Sequence, residues 1–325
     1  MQKLLVLAGI CCLPFFLQAQ PHQGKPAKRP KANFIKKRPY SWDIGMQHGA
    51  ANYLGEMGGK ELTRRDFVSD MKLTQTRYTG GAFARYKFNQ YFALKGSANY
   101  IRLSGADSLS TNAPRNARNL SFRNDMIELN AQGQFVFYEV TDLGRSYMHK
   151  DFFRAYLGLG LGAVYHNPKT LYNGEWVALR PLTTEGQDKP YTKVTMVIPA
   201  AAGFHFTLNK HYRVGWEVCW RTAFSDYLDD VSTNYASPSQ LPNATAIALA
   251  NRTDEKPNLT TQFTNNFEPG NKRGDSEHND SYLSSSIEMS YVITGRSAWG
   301  RGVAKRPGSR GNGPSKIRDP LHIRL

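Results

Sequence analysis

The stretch Thr195–Thr222, TMVIPAAAGFHFTLNKHYRVGWEVCWRT, alternates apolar and polar residues with period two over most of its length. On a β-strand, side chains at i and i+2 share one face. Met196, Ile198, Ala200, Ala202, Phe204, Phe206 and Leu208 therefore lie opposite Thr195, Pro199, Gly203, His205 and Thr207. After Asn209-Lys210 the pattern resumes, with Tyr212, Val214, Trp216, Val218 and Trp220 opposite Arg213, Gly215, Glu217, Cys219 and Arg221. Two such segments around a two-residue connection predict a β-hairpin.

The same design recurs elsewhere in the chain. Tyr78 to Phe88 and Phe92 to Tyr100 flank a tight turn at Asn89-Gln90, and Lys95, Ser97 and Asn99 take the polar face of the second strand. Tyr40 to Leu54, Asp125 to Val140, Phe153 to His166 and Tyr282 to Thr294 carry the alternation less cleanly. That predicts eight strands, most of about 12–16 residues, far beyond the usual five or six of soluble sheets. About 9–11 tilted residues cross a bilayer. Aromatic residues gather at strand ends, among them Tyr86, Phe88, Tyr91 and Phe92. Connections alternate between short and long, the long ones being residues 55–75, 104–121, 167–193 and 223–281. Short turns at one rim and long loops at the other belong to an outer-membrane β-barrel. The expected fold is all-β: an eight-stranded antiparallel up-and-down transmembrane barrel with long extracellular loops and disordered basic tails. A soluble lipocalin-type barrel would have the same periodicity with its faces reversed. Strand length, aromatic strand ends and an N-terminal export signal favour the membrane.

The chain has 325 residues, 42 Lys and Arg against 26 Asp and Glu, and a net charge of +16. The excess is concentrated in two stretches. Lys25 to Arg38 has only basic charges, and the segment after Gly295 is nearly as one-sided, whereas the body between is close to neutral. Both stretches are rich in Pro, Gly or Ser and predict disordered arms. The body is no nucleic-acid surface, and no nucleic-acid partner is expected. Met1-Gln2-Lys3, the apolar run Leu4 to Leu17 and Ala19 read as a secretory signal over residues 1–19. The predicted organisation continues with a basic periplasmic arm over 20–39, the barrel over 40–295 and a basic tail over 296–325. Cys11 and Cys12 fall inside the signal, so the mature chain would keep Cys219 alone and form no internal disulfide.

A barrel of eight strands is about filled by its own side chains. Arg77, Arg85, Glu128, Arg154, Glu217, Arg221 and Glu288, with Lys87 and Lys95, lie on the polar faces and predict an interior charge network. Gly158-Leu-Gly-Leu-Gly-Ala163 imitates a dinucleotide fingerprint, but its glycines alternate within a strand and no helix follows. They relieve crowding on the inner face instead. No nucleophile, metal-ligand or phosphate-loop motif stands out, so no catalytic residue, metal or cofactor is expected and the reading is not of an enzyme. Asp226, Asp229 and Asp230 put three carboxylates within five residues. Their spacing fits no EF-hand loop, and turn-shaping bonds to the backbone are the better reading.

The run Arg221 to Ser232, with Tyr227 inside it and Tyr235 just after, stands with Tyr53-Leu54-Gly55-Glu56-Met57-Gly58-Gly59 behind the first strand. Together the two runs resemble the PorG-like family of outer-membrane β-barrels, found in bacteria with type IX secretion. The resemblance covers the barrel body and marks Tyr53, Gly55, Gly58, Asp226, Tyr227, Asp229, Asp230 and Tyr235 as a shared motif, with no catalytic group among them. It implies a structural component or anchor of the type IX machinery, in outer-membrane lipid, that contacts a periplasmic ring. The basic arms are the expected contact. Loop 223–281 and the basic tail are larger than the resemblance leads one to expect. An alternative expectation is a small barrel that binds or admits a ligand through its extracellular loops.

Overall fold

The computed structural model describes residues 40–55, 57, 73–142, 150–208, 211–260 and 263–295. The expected signal, both arms, Gly58 and the Asn209-Lys210 connection lie outside the described residues.

Eight long strands form the wall: β1 (Tyr40–Leu54), β2 (Arg77–Lys87), β3 (Phe92–Ala106), β4 (Ser121–Asp142), β5 (Lys150–Tyr165), β8 (Val194–Leu208), β9 (Tyr212–Ala223) and β10 (Ser281–Gly295). Each pairs antiparallel with the next, and β1 pairs β10 from Tyr40↔Gly295 to Leu54↔Ser281. The ring is closed, so no wall strand exposes an unpaired edge; such closure is the condition for a sheet to cross hydrocarbon. The two remaining strands, β6 (Lys169–Tyr172) and β7 (Glu175–Ala178), form a hairpin outside the wall, tied to β4 by the pairing Arg123↔Lys169. Asn173 and Gly174, both at positive φ, make its turn, as the right-handed twist of a two-residue hairpin requires.

Each wall strand keeps its alternation in space. Outward residues are apolar and exposed, including Met46 at 62%, Leu159 at 63% and Met289 at 62%. Their neighbours in sequence point inward and are buried, as Gln47, Gly158 and Glu288 show. Around the short-turn rim the outward rings join into a girdle. Tyr86 packs against Trp42 and Phe88, each at 4.8 Å between centroids, Phe92 against Phe135 at 5.5 Å, and Phe153 against Tyr138 and Phe206. About ten residues of tilted strand span the roughly 25 Å apolar band of such barrels. This outer face belongs against lipid, and the closed wall is that of an outer-membrane barrel. Lipocalin-type packing, with apolar side chains inward along the whole barrel, is not what the strands show.

Local sequence explains the irregularities. A register shift between Val136 and Tyr138 turns both Phe137 and Tyr138 outward onto the girdle, as a β-bulge does. Opposite Pro199, whose nitrogen has no hydrogen to donate, the β5–β8 pairing steps from Leu159↔Ala200 to Gly162↔Val197. Gly162 lies where a Cβ would come within 2.7 Å of the Asn130 Cβ on β4. The alternating glycines thus let the wall close over crowded inward side chains, as expected. Between β2 and β3, Asn89 accepts the amide hydrogens of Tyr91 and Phe92, both at 2.8 Å, which fixes that turn.

The inward face changes character along the barrel. On β3 it runs Lys95, Ser97, Asn99 and then Ile101 and Leu103. On β4 it runs from Phe122 and Met126 near the long loops to Glu128, Gln132 and Gln134. The lower interior is charged and polar, and the upper interior is apolar. The long connections fold down on that apolar end. Leu179, Leu182, Leu228, Val231, Ala246 and Leu249 share one buried cluster with Ile101, Leu103, Met126, Val164, Val197 and Tyr282. Two short helices belong to this cap. In α1 (Ala113–Arg118) the Asn112 side chain accepts from the Arg115 amide, and in α2 (Ala244–Ala250) Asn243 accepts from the Ala246 amide, satisfying first-turn donors. Residues 224–280 are therefore a folded cap in their described parts, where the sequence reading has only a long loop.

Candidate functional site

Within the lower barrel the charges meet. Lys95 on β3 lies 2.8 Å from Glu217 on β9 and 2.6 Å from Glu288 on β10. Arg85 on β2 reaches the other Glu288 oxygen at 2.6 Å and Asp43 on β1 at 3.7 Å. Arg213 pairs with the same Asp43 oxygen. The Tyr156 hydroxyl donates to Glu217 at 2.9 Å and accepts from Arg85. One level up, Glu128 accepts from Arg221 at 2.7 Å and from the Tyr282 hydroxyl at 2.6 Å. Asn99 and Asn130 add further bonds to Glu128. All these carboxylates and cations are almost fully buried. A buried charge is tolerated only when it is paired and hydrogen-bonded, and the network meets that condition by joining strands from around the ring.

The structure thus brings together Arg85, Glu128, Glu217, Arg221 and Glu288, with Lys95. Arg154 sits lower, 3.0 Å from Glu139. Arg77 is placed elsewhere: at the loop end of β2 its guanidinium donates to the carbonyls of Thr74 and Thr76. Asp43, Arg213, Tyr156 and Tyr282 complete the network without having been singled out in sequence as part of it. Asp43 carried a signal, being the lone acid between Trp42 and Ile44 on an alternating strand.

At the mouth, the two motif runs meet. The Tyr53 hydroxyl, near the end of β1, lies 2.7 Å from an Asp229 oxygen and 2.5 Å from an Asp280 oxygen. The second Asp229 oxygen accepts the Val231 amide, and the second Asp280 oxygen accepts the Leu228 amide. Gly55 leaves the room: a Cβ there would stand on the Tyr53 ring and within 2.8 Å of Asp280. Asp230, in the left-handed region at φ 72°, accepts from Thr184 at 2.5 Å and from Tyr191 at 2.8 Å. Burial pushes its carboxyl up to about 6, against the pull of Arg273 3.7 Å away. Tyr191 lies in a stack of three rings, 5.9 Å from His166 and 4.7 Å from Tyr227. Burial, with nearby Arg180, brings His166 down to about 4. Arg273 ties the cap together by donating to Glu185 at 2.9 Å and to the Asp230 and Ala250 carbonyls.

Asp229 accepts the Val231 amide, a bond to the backbone of the kind the turn reading has, whereas Asp230 bonds the Thr184 and Tyr191 side chains across the cap, and Asp226 is buried. Among the described residues no three His, Cys, Asp or Glu side chains gather as metal ligands. Tyr235 lies apart from Tyr53, packed edge-on against Phe267 at 6.1 Å. The long-range contacts of Tyr53 and Arg273 have no local sequence signal. The β6–β7 hairpin had one, the Asn173-Gly174 pair between two short apolar runs.

Solved structures with a similar chain path are small barrels. Ail of Yersinia pestis matches at 10% identity and a TM-score of 0.32, covering 79% of this chain and 99% of its own. OprG of Pseudomonas aeruginosa matches at 10% and 0.39, covering 79% and 98%, and the Neisserial surface protein NspA at 9% and 0.33, covering 78% and 96%. No curated protein matches this chain. Residues 34–247, more than half of the chain and the larger part of the wall, match one described family, and the protein belongs to it: the domain of unknown function DUF6089.

Proposed function

We propose that this protein is a structural anchor in the outer membrane, a barrel whose working surfaces are its rims and not its bore. One observation carries the reading. The lower barrel is filled by the Lys95–Glu217–Glu288 and Arg221–Glu128 network, and the upper barrel by the apolar cluster under the cap. A wall plugged in this way suits a fixed point of attachment better than a conduit. Tyr40 and Gly295 pair at the short-turn rim, the periplasmic side of such a barrel, and this reading assigns the periplasmic contact to the basic segments. The PorG-like resemblance of the two motif runs suggests the assembly: the type IX secretion machinery, contacted through a periplasmic ring.

The test is a clean deletion of the gene, complemented by the full chain or by the barrel without residues 20–39 and 296–325. Export of type IX cargo should fail in the deletion, return with the full chain and stay impaired without the basic segments. Normal export in the deletion would remove the secretion role. The alternative, a barrel acting on a ligand through its long loops, is supported at one place in the cap and not along the bore.

A further inference from the structure

The cap contains a cleft of about 400 Å³ between α1 and the chain around Phe267. That volume is within the range of sites for small molecules. Arg115, Arg118, Lys272 and Arg273 line it, and none of the residues lining it is acidic. Arg118 and Arg273 are held in place from behind, by Asp107 at 2.6 Å and Glu185 at 2.9 Å. Lys272 stands at the surface with Asp275 2.6 Å away, a pairing that solvent weakens. The remaining lining is Pro114, the rings of Tyr235 and Phe267, and asparagines such as Asn271.

Tyr235 is the second and independent observation. It lines this cleft and is only 5% exposed, yet its hydroxyl has no hydrogen-bond partner among the described residues. Leaving a buried hydroxyl unsatisfied is costly, and buried polar groups in native proteins nearly always have partners. The hydroxyl is closed off from solvent in the cleft, and a ligand oxygen would satisfy it once the cleft opens to admit that ligand.

We propose that this cleft binds an anionic sugar, a mono- or disaccharide unit bearing a carboxylate or phosphate. Lys272 and Arg115 attract the anion, the asparagine amides offer paired donors and acceptors to hydroxyls, and Tyr235 donates to a sugar oxygen. The site deepens the ligand-binding reading of the cap and is independent of the anchor role, since it lies at the long-loop end of the barrel.

Calorimetric titration of the full chain in detergent micelles tests it, with a glucuronate-containing disaccharide, glucose 6-phosphate, maltose and inorganic phosphate as probes. At least one of the two anionic sugars should bind at least about tenfold more tightly than either maltose or inorganic phosphate. Tyr235→Phe and Lys272→Gln should each weaken that binding about three- to tenfold, and Lys189→Gln, outside the cleft, should leave it unchanged. Heat-modifiable gel mobility verifies that each variant is folded. Binding of neither anionic sugar, equal binding of maltose or of phosphate, or full affinity in Tyr235→Phe would overturn the assignment. A variant that loses the sugar but still exports cargo normally separates this site from the anchor role.

Discussion

Tyr53 is bound at once to Asp229, 176 residues away, and to Asp280, 227 residues away. One hydroxyl at the top of the first strand therefore fixes both ends of the largest cap segment. Hydrogen bonds to charged groups are worth about 1.5–3 kcal/mol. Tyr53→Phe should loosen the cap by that order and bring two carboxylates face to face, while the wall stays intact. Protease cleavage within residues 224–280 should become faster at unchanged heat-modifiable mobility. Unaltered cleavage would mean that the cap is held elsewhere.

The interior network predicts a large cost for the loss of one ammonium. Lys95→Met leaves Glu217 and Glu288 without their shared cation, and breaking a buried pair from one side costs about 3–5 kcal/mol. The temperature at which the folded gel band is lost should drop markedly. Arg102→Met removes a pair with Asp125 that is about one-third exposed and should cost under about 1 kcal/mol. Equal behaviour of the two variants would contradict a dry, paired interior.

Outward positions should obey the lipid. Leu159→Arg puts a charge in the middle of the apolar belt at a cost of about 2–4 kcal/mol, so the variant should assemble poorly. Val214→Arg, also outward, should behave likewise. Leu109→Arg, on the cap, should assemble normally. Assembly yield in membranes distinguishes them, and equal yields would reverse the face assignment.

Acid should act on the cap through two opposed groups. Between pH 6.5 and about 4 the unfolded chain binds a proton on His166 that the folded cap refuses, so acidification removes stability there. Between about pH 6 and 3.8 the folded Asp230 holds a proton that the unfolded chain releases, so acidification adds stability. Each amounts to about 3 kcal/mol once fully titrated, and they nearly cancel. From pH 7 to 4 the wild-type cap should keep similar hydrogen-exchange protection. His166→Gln should gain protection on acidification, and Asp230→Asn, whose amide tolerates the left-handed backbone, should lose it. A cap whose acid response is the same in all three proteins would contradict this reading.

The wall was legible because burial on one face and lipid on the other impose period two along every strand, and eight segments carry it. Boundaries moved where the inward face turned apolar. β3 runs on to Ala106, past Tyr100, and β4 begins at Ser121, four residues before Asp125, because Leu103 and Phe122 face the cap cluster and not the polar bore. Of the interior charges, Arg85, Lys95, Glu217 and Arg221 stand out on clean alternations and Glu128, Arg154 and Glu288 on less clean ones, whereas Arg213 is passed over despite its clean strand and Arg77 enters by parity alone although it lies beyond the bore. In sequence the cap reads as loops because its order comes from contacts over great sequence distances. Tyr53 with Asp229, Asn119 with Glu255 and Arg118 with the Arg273 carbonyl leave no periodic trace. Asn243 ahead of an alanine-rich run was the local sign of α2.

The central claim is that hydrocarbon covers Met46, Leu159, Trp216 and Met289. Size-exclusion chromatography of the refolded chain with and without detergent tests it most directly. A folded monomer in detergent that aggregates when detergent is removed is the predicted result; a folded, monodisperse protein in plain buffer would contradict the account.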